Sequence, residues 1–427
     1  SNPSAPAKIM KKFIKNLTSK INKYFFPFYK TKDIKHLFKN LEDGESKEKE
    51  VAMFVGGCVR NYLQSKKIGD IDIATIFTPD ELKKKLLNSK FKIIDTGLDH
   101  GSVTIISENK KYEFTTLRKD IKTDGRHAEI ETIDNWKEDS KRRDFTINAI
   151  YLNRKGKIFD PQQGINDLKN NIVKFIGDPQ TRIEEDFLRI IRFLRFTIQY
   201  NSNIEPSTVK AIKINLNGIQ NISKERILTE LYKILDLDNF FKIHENKYLS
   251  EIFELIFPEF ANINRLKNFG IIKKYFDKLN FLILATLLID SKNNHEYFLH
   301  KYKSSKSINE RLFLIGDNYK ECKKDKEFFK KRLKINLYHL GKENIKILYC
   351  IYILEKNKIS LNDINFFSVI SKISVPEFPF DGKYLINRGF KEGKKIGKIL
   401  YQAEKIWIQK NFNLSVTEFE DIVESNS

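Results

Sequence analysis

The sequence predicts an α+β protein: a small mixed α/β head followed by a long, all-helical remainder. Three observations carry that expectation. Residues 50–160 alternate short β-like runs with helical ones, helical periodicity continues almost unbroken after about residue 165, and the two regimes meet at "DPQQG" (160–164). A chain of 427 residues can bury a large core and divide into domains. The expected order is a basic N-terminal extension over 1–49, the head over 50–165, a helical neck over 166–235, a helical body over 236–365 and a helical tail over 366–427. No internal repeat or low-complexity tract interrupts it.

Within the head each element follows from local pattern. "VAMFVGG" (51–57) is a strand running into a glycine turn. "IGDIDIAT" (68–75) alternates apolar and polar residues at period two, as a half-buried strand does. "PDELKKKLLNS" (79–89) is a helix opened by Pro79. "SVTIIS" (102–107) and "KKYEFTTLR" (110–118) are strands expected to pair as a hairpin through "ENK". "KDIKTDGRHAEIETIDN" (119–135) is polar and contains Gly125, which predicts a mobile excursion off the sheet.

The bulk composition narrows the function classes. Lys and Arg number 77 against 56 Asp and Glu, a formal charge of +21, which points to a polyanionic partner. The sequence is also rich in Lys, Asn and Ile, as an AT-rich genome gives, so part of that charge only solvates the surface. Cys58, Cys322 and Cys350 are odd in number and scattered, which argues against a disulfide framework or zinc site and for a reducing, cytoplasmic setting. The longest apolar run, "FLILATLLI" (281–289), is far short of the roughly 20 residues of a membrane helix, so no membrane partner is expected. The stretch through Lys32 is basic and acid-free but lacks an apolar signal core; an organellar transit peptide is the alternative there. "MKKFIKN" from Met10 resembles a natural start, and the nine residues before it read as an appended leader.

The chemistry begins with Asp70 and Asp72. On a strand both carboxylates project from the same face, and two like charges there repel unless a cation lies between them. A lone pair of this kind is ordinarily a solvated strand. Here Gly56 and Gly57 precede it, between a strand and a helix, where backbone N–H groups can approach a phosphate closely. Arg60, one turn into that helix, adds a charged fork. A triphosphate cradle beside a divalent-metal site is what nucleotidyl transfer requires. Glu113, facing opposite to Tyr112 and Phe114, is placed to supply a third carboxylate from an adjacent strand.

These stretches carry a resemblance. "FVGGCVR…GDIDIAT", "RRDFTINAI" (142–150), "DPQQGINDL" (160–168) and "EEDFLRIIRFLRF" (184–196) are similar, in order and spacing, to successive motifs of the class II nucleotidyltransferases. That family comprises CCA-adding tRNA nucleotidyltransferases and bacterial poly(A) polymerases. "SKERILTEL" (223–231) resembles its fifth motif, so the likeness covers roughly residues 50–235. The tail "FPFDGKYLINRGFKEGKKIGKIL" (378–400) resembles the end of alphaproteobacterial-type CCA enzymes more weakly. The resemblance implies a nucleotidyltransferase head in which Asp70 and Asp72 bind two Mg²⁺ ions. It further implies that Arg142, Arg143 and Asp144 hold the nucleotide, with Arg143 and Asp144 near the ribose 2′-OH. From chemistry alone "RRD" is equally an ion-pair cluster, though Phe145, Ile147 and Ile150 anchor it.

The last of the four motifs is the most informative. At 100° per residue, Asp186, Arg189 and Arg192 fall within roughly 120° of one another, opposite Phe187, Ile190, Ile191 and Leu194. Arg195 continues the spacing but falls toward the apolar side. In the family reading, a carboxylate beside a guanidinium matches the amino donor and ring-nitrogen acceptor that cytosine and adenine share, and opposes uracil and guanine. Asp186 and Arg189 then admit CTP and ATP.

Between the two family activities, "GLDHGSVTI" (97–105) resembles the CCA-adding form. The 119–135 segment matches the family's flexible loop, with "DGRH" at its core and Arg126 and His127 as hinge or substrate contacts. "DPQQG" departs from the family's two adjacent glycines, which leaves that turn's backbone open. Lys383, Arg388, Lys391, Lys394, Lys395 and Lys398 surround Gly382, Gly389, Gly393 and Gly397, and suggest a basic turn touching RNA backbone. The expected partners are therefore the tRNA 3′ acceptor end, CTP and ATP, with no protein partner and no appended phosphohydrolase. The rivals are a poly(A) polymerase, a C-only or A-only enzyme, and a non-catalytic RNA-binding protein on a retired transferase head.

Overall fold

A computed structural model describes residues 14–426, apart from 19, 22, 98–100, 109 and 124–127. The expectations for "DGRH", with Arg126 and His127, and for part of "GLDHGSVTI" therefore lie outside the described residues. The chain forms two compact units, residues 1–240 and 241–427.

The first unit opens with α1, helical at every described position of residues 14–25, and α2 (Lys32–Glu42). Its seven-stranded sheet has the order β3-β4-β5-β2-β1-β8-β9. The strands are β1 (Ala52–Val55), β2 (Ile71–Thr75), β3 (Lys92–Gly97), β4 (Ser102–Ser107), β5 (Lys110–Thr116), β8 (Tyr151–Leu152) and β9 (Ile158–Phe159). β2 lies between β1, antiparallel to it, and β5, parallel to it. The expected β4–β5 hairpin is present. Phe54, Ile73, Phe114 and Val103 are fully buried in this sheet. α2 and α4 (Pro79–Leu86) add the buried Leu37, Leu41, Leu82 and Leu86. Pro79 stands at the start of α4, and Thr78 and Glu81 close a capping box.

The 119–135 segment leaves the seven-stranded sheet, as expected, and a first correction is to its form: where a loop was expected, its described residues pair as a second, two-stranded antiparallel sheet, β6 (Arg118–Thr123) with β7 (Ala128–Thr132). The β-branched and alternating residues of "RKDIKT" and "AEIET" support the pairing.

After β9 no strand occurs among the described residues. The first unit closes with α5 (Trp136–Lys141), which precedes β8, and then α6 (Gly164–Lys169), α7 (Pro179–Glu185), α8 (Leu188–Tyr200), α9 (Pro206–Asn215) and α10 (Lys224–Leu235). The "RRDFTINA" turn is fixed there by aromatic packing. The Phe145 ring lies 4.9 Å from Phe175, and Phe175 stacks on Phe193 of α8 at 5.5 Å.

A second correction concerns "EEDFLRIIRFLRF", which is not one helix. α7 ends at Glu185, Asp186 is extended (φ −154°, ψ 105°), and α8 starts at Leu188. The cause is local: the Asp186 carboxylate accepts from Leu188 N–H at 3.1 Å, competing with helix continuation as a cap does. Phe187 meanwhile packs against Gly218, where a Cβ would come within 2.2 Å of its ring.

The second unit is helical throughout its described elements, from α11 (Lys247–Ile256) to α21 (Val416–Glu424). α17 (Lys342–Leu354) is nearly all buried, and the tail has its own core of Leu385, Ile399, Trp407 and Phe419. No described helix is long and apolar enough to cross a membrane.

Candidate active site

The centre of the sheet places the acidic pair. β2 pairs with β1 so that Val55 opposes Asp72, and Gly56 then turns the chain into α3 (Gly57–Leu63). Gly56 adopts φ +75°, which calls for glycine, and the turn brings it against Asp72, whose Oδ2 lies 3.4 Å from where a Cβ would stand. Asp70 stands just before β2, and both aspartates line a cleft of about 930 Å³ with Gly56, Gly57 and Arg60. On the other side of β2, Glu113 of β5 is in register with Asp72. Its carboxylate accepts from the Thr104 hydroxyl at 2.8 Å, and it does not line the cleft. Burial pushes the Asp72 carboxyl up; Arg143 pulls it down, while the negative charges of Asp70 and Glu113 push it up further.

Arg142, Arg143 and Asp144 also face this cleft, and each is held by a partner. Asp139 of α5, fully buried, accepts from Arg142 at 2.9 Å, Arg143 at 3.2 Å and the Tyr151 hydroxyl at 2.6 Å. Burial alone would raise its pKa, but the two guanidinium groups outweigh burial and hold it at about 2. Asp144 receives Phe145 N–H and Asn148 Nδ2, each at 2.8 Å, and Arg192 at 2.6 Å. Against the penalty of burial, these partners keep its carboxyl well below the usual range. Arg192 also reaches Glu230 of α10 at 3.3 Å. Asn148 accepts from Arg60, whose Nε donates to the Tyr200 hydroxyl at 3.0 Å.

Asp186 and Arg189 line the same cleft despite the helix break, and each is occupied. Arg226 of α10 pairs with Asp186 at 2.8 Å. Arg189 pairs with Glu185 at 2.6 Å and donates to the Arg182 carbonyl at 2.7 Å. Arg182 pairs with the same Glu185 and donates to the carbonyls of Arg142 and Arg143 at 2.7 and 2.9 Å.

Arg195 is a third correction. It does not retreat to the apolar side; it lines the cleft, pairs with Glu230 at 2.8 Å and lies 4.4 Å over the Phe196 ring. The buried Glu230 carboxylate draws it there, a partner that helix angles alone do not reveal. The sequence reading also missed Asp139, Asn148, Glu185, Arg182, Arg226 and Glu230. All but Arg182 and Asp139 lie inside or beside motifs already singled out, so position was available although pairing was not.

Among the described lining residues, nine guanidinium or ammonium groups face five carboxylates, an excess suited to a triphosphate. No group of three or more His, Cys, Asp or Glu is placed to hold a metal ion among the described residues. Asp70 and Asp72 nonetheless fit a hard divalent cation: they offer oxygen donors only, and Mg²⁺ is typically held by one or two carboxylates with water and substrate phosphate completing the shell.

A glycine turn against paired aspartates, in a basic cleft of this size, defines a nucleotidyltransferase-type head. Comparison with known proteins takes the assignment further. The family described as "Poly A polymerase head domain" matches residues 52–174, and "Probable RNA and SrmB- binding site of polymerase A" matches 202–264. The chain is 30% identical over 406 residues to the mitochondrial CCA tRNA nucleotidyltransferase 1 of Danio rerio, covering 91% of each. It is 32% identical to the CCA-adding enzyme of Lactobacillus delbrueckii subsp. bulgaricus, covering 82% of this chain and 88% of that one. In fold it is similar to the Bacillus stearothermophilus CCA-adding enzyme solved with CTP, with a TM-score of 0.68, 23% identity, and coverage of 93% of this chain and 98% of that chain. The chain belongs to the class II CCA-adding tRNA nucleotidyltransferase family.

Proposed function

We propose that this protein adds C, C and A to the 3′ end of tRNA from CTP and ATP, releasing pyrophosphate at each step, in the cytoplasm. The observation that carries the reading is the single cleft in which Asp70 and Asp72 share a wall with the Asp186 and Arg189 pair. Three buried, unpaired cysteines support a reducing compartment.

In this reading the Gly56–Gly57 turn brings backbone N–H groups to the triphosphate, and Arg60 meets its outer oxygens. Asp70 and Asp72 would hold Mg²⁺, which when bound lowers the pKa of the attacking hydroxyl and stabilises the leaving pyrophosphate. Glu113, beside Asp72 on the neighbouring strand, adds negative charge next to the pair. Arg143 and Asp144 face the ribose, oriented by Asp139 and Arg192 respectively. Arg189 donates to the base's ring nitrogen and Asp186 accepts from its amino group, so a base must replace Arg226 and Glu185 as their partners or share them. The exposed lysines 383, 391, 394, 395 and 398 of the tail are suited to RNA phosphates, while Arg388 is already paired with Glu420 at 2.7 Å.

The test is incubation with tRNA lacking CCA, with CTP and ATP supplied singly and together. Two C additions from CTP alone, and a terminal A only after them, support the proposal. A long tail from ATP alone would identify a poly(A) polymerase.

A further inference from the structure

The leading helix α1 is amphipathic, and its apolar face is turned away from the protein. At 100° per residue, Ile14, Leu17, Ile21, Tyr24 and Phe25 fall within an arc of about 100°. All five are exposed, Tyr24 to 80%, and Phe26 just beyond the helix is also 80% exposed. The opposite side is the one that meets the head: Lys23 is half-buried, donates to the Leu63 carbonyl at 3.2 Å and lies 4.8 Å over the Tyr62 ring. Pro27 ends the segment, and Phe28 anchors it, its ring 4.9 Å from Phe54 and 5.7 Å from Tyr62. The stripe is thus presented outward by a fixed hinge, and it is no part of the head's core.

Charge identifies what the stripe meets. The first 32 residues contain no Asp or Glu, and Lys15 and Lys20 flank the stripe on either side. Long lysine stems beside exposed aromatic and aliphatic side chains suit an interface where tails lie beneath and anionic headgroups lie beside. An RNA backbone would need the lysines at the centre of the outward face, but the central outward residues are Ile14, Leu17 and Ile21, and the lysine most opposite them is tucked against the head. We propose that α1 docks the protein on an anionic lipid surface, lying in the headgroup plane without crossing it. This contact is independent of the proposed reaction, and it is compatible with the lack of a spanning helix among the described residues.

The experiment is flotation of the full-length protein with phosphatidylcholine vesicles, with and without phosphatidylglycerol. Expected is binding only to the anionic vesicles, weakened by salt. The double variant Leu17→Asp, Ile21→Asp should lose it entirely, and Lys15→Gln and Lys20→Gln should each weaken it about fivefold. The positions are exposed, so melting temperature and CTP incorporation into tRNA should stay unchanged in all variants. The proposal is overturned if the wild-type protein ignores anionic vesicles, or if the double variant still floats. It is equally overturned if the variants instead lose tRNA affinity or dissociate a dimer, because the stripe would then be an RNA or self-association surface.

Discussion

The two ends of the cleft differ in how their charges are satisfied. At the aspartate end, Asp70 and Asp72 stand together with Glu113 on the adjacent strand, and burial and mutual repulsion push the Asp72 carboxyl up. At the guanidinium end every charge has a partner: Asp186 with Arg226, Arg189 with Glu185, Asp144 with Arg192, Arg195 with Glu230. The first end is electrostatically incomplete and gains from a bound cation. The second is already organised, so a substrate there exchanges partners without creating order, which favours selectivity over tight binding.

The largest effect expected from this contrast is at the aspartate end. Asp72→Asn should lower CTP and ATP incorporation on the order of a thousandfold or more, because it removes an oxygen donor needed in the transition state. The same change relieves repulsion, so the thermal midpoint should hold or rise. Activity within tenfold of wild type, or a collapse in stability, would break the contrast. At the other end, Arg189→Ala should leave the transfer of CTP measurable while the preference for CTP and ATP over UTP and GTP falls by roughly 10- to 100-fold. Competition assays with mixed nucleotides read this directly. A uniform loss for all four nucleotides would assign Arg189 to positioning of the Arg142 strand instead.

Asp139 sharpens the contrast by stability. Its carboxyl titrates at about 2 in the fold, against an ordinary value of 3.8. Its contribution is therefore complete above about pH 4 and is lost as pH falls through 2. Asp139→Asn should cost about 2 kcal/mol at pH 7, and the gap between variant and wild type should close as the medium is acidified through that window. Urea midpoints at neutral and acid pH measure it. A gap that persists at pH 2 would place the loss in packing and not in charge.

The parts of the site that were legible in the sequence are those fixed by short-range pattern. The period-two alternation of "IGDIDIAT" marked the strand that carries Asp72, and the apolar residues after "RRD" are buried as expected. What escaped depends on partners distant in sequence. Asp139 reads as an ordinary first-turn acid of a short helix, until Arg142, Arg143 and Tyr151 fold around it. Helix angles assigned Arg195 wrongly because they take no account of Glu230, 35 positions later. The break at Asp186 escaped because one side-chain bond to Leu188 outweighed a strong helical pattern.

The "DPQQG" turn shows how far such local reasoning extends, and it yields the smallest effect. Asp160 accepts from Gly164 and Ile165 N–H at 2.8 and 3.0 Å, fixing the start of α6. Gly164 leaves no room for a side chain, since a Cβ would come within 2.1 Å of the Thr146 carbonyl oxygen in the "RRDFTINA" turn. Gln163 differs: it is in the left-handed region at φ +57°, ψ 33°, a conformation that glycine adopts freely and other residues adopt under strain. Of the two adjacent glycines typical of the family, the second is thus required by space, and the first only by backbone preference. Gln163→Gly removes the strain but loosens the unfolded chain, so stability should rise by up to about 1 kcal/mol, with no change in nucleotide incorporation. A fall in the thermal midpoint would mean that the Gln163 side chain contributes a contact worth more than its strain.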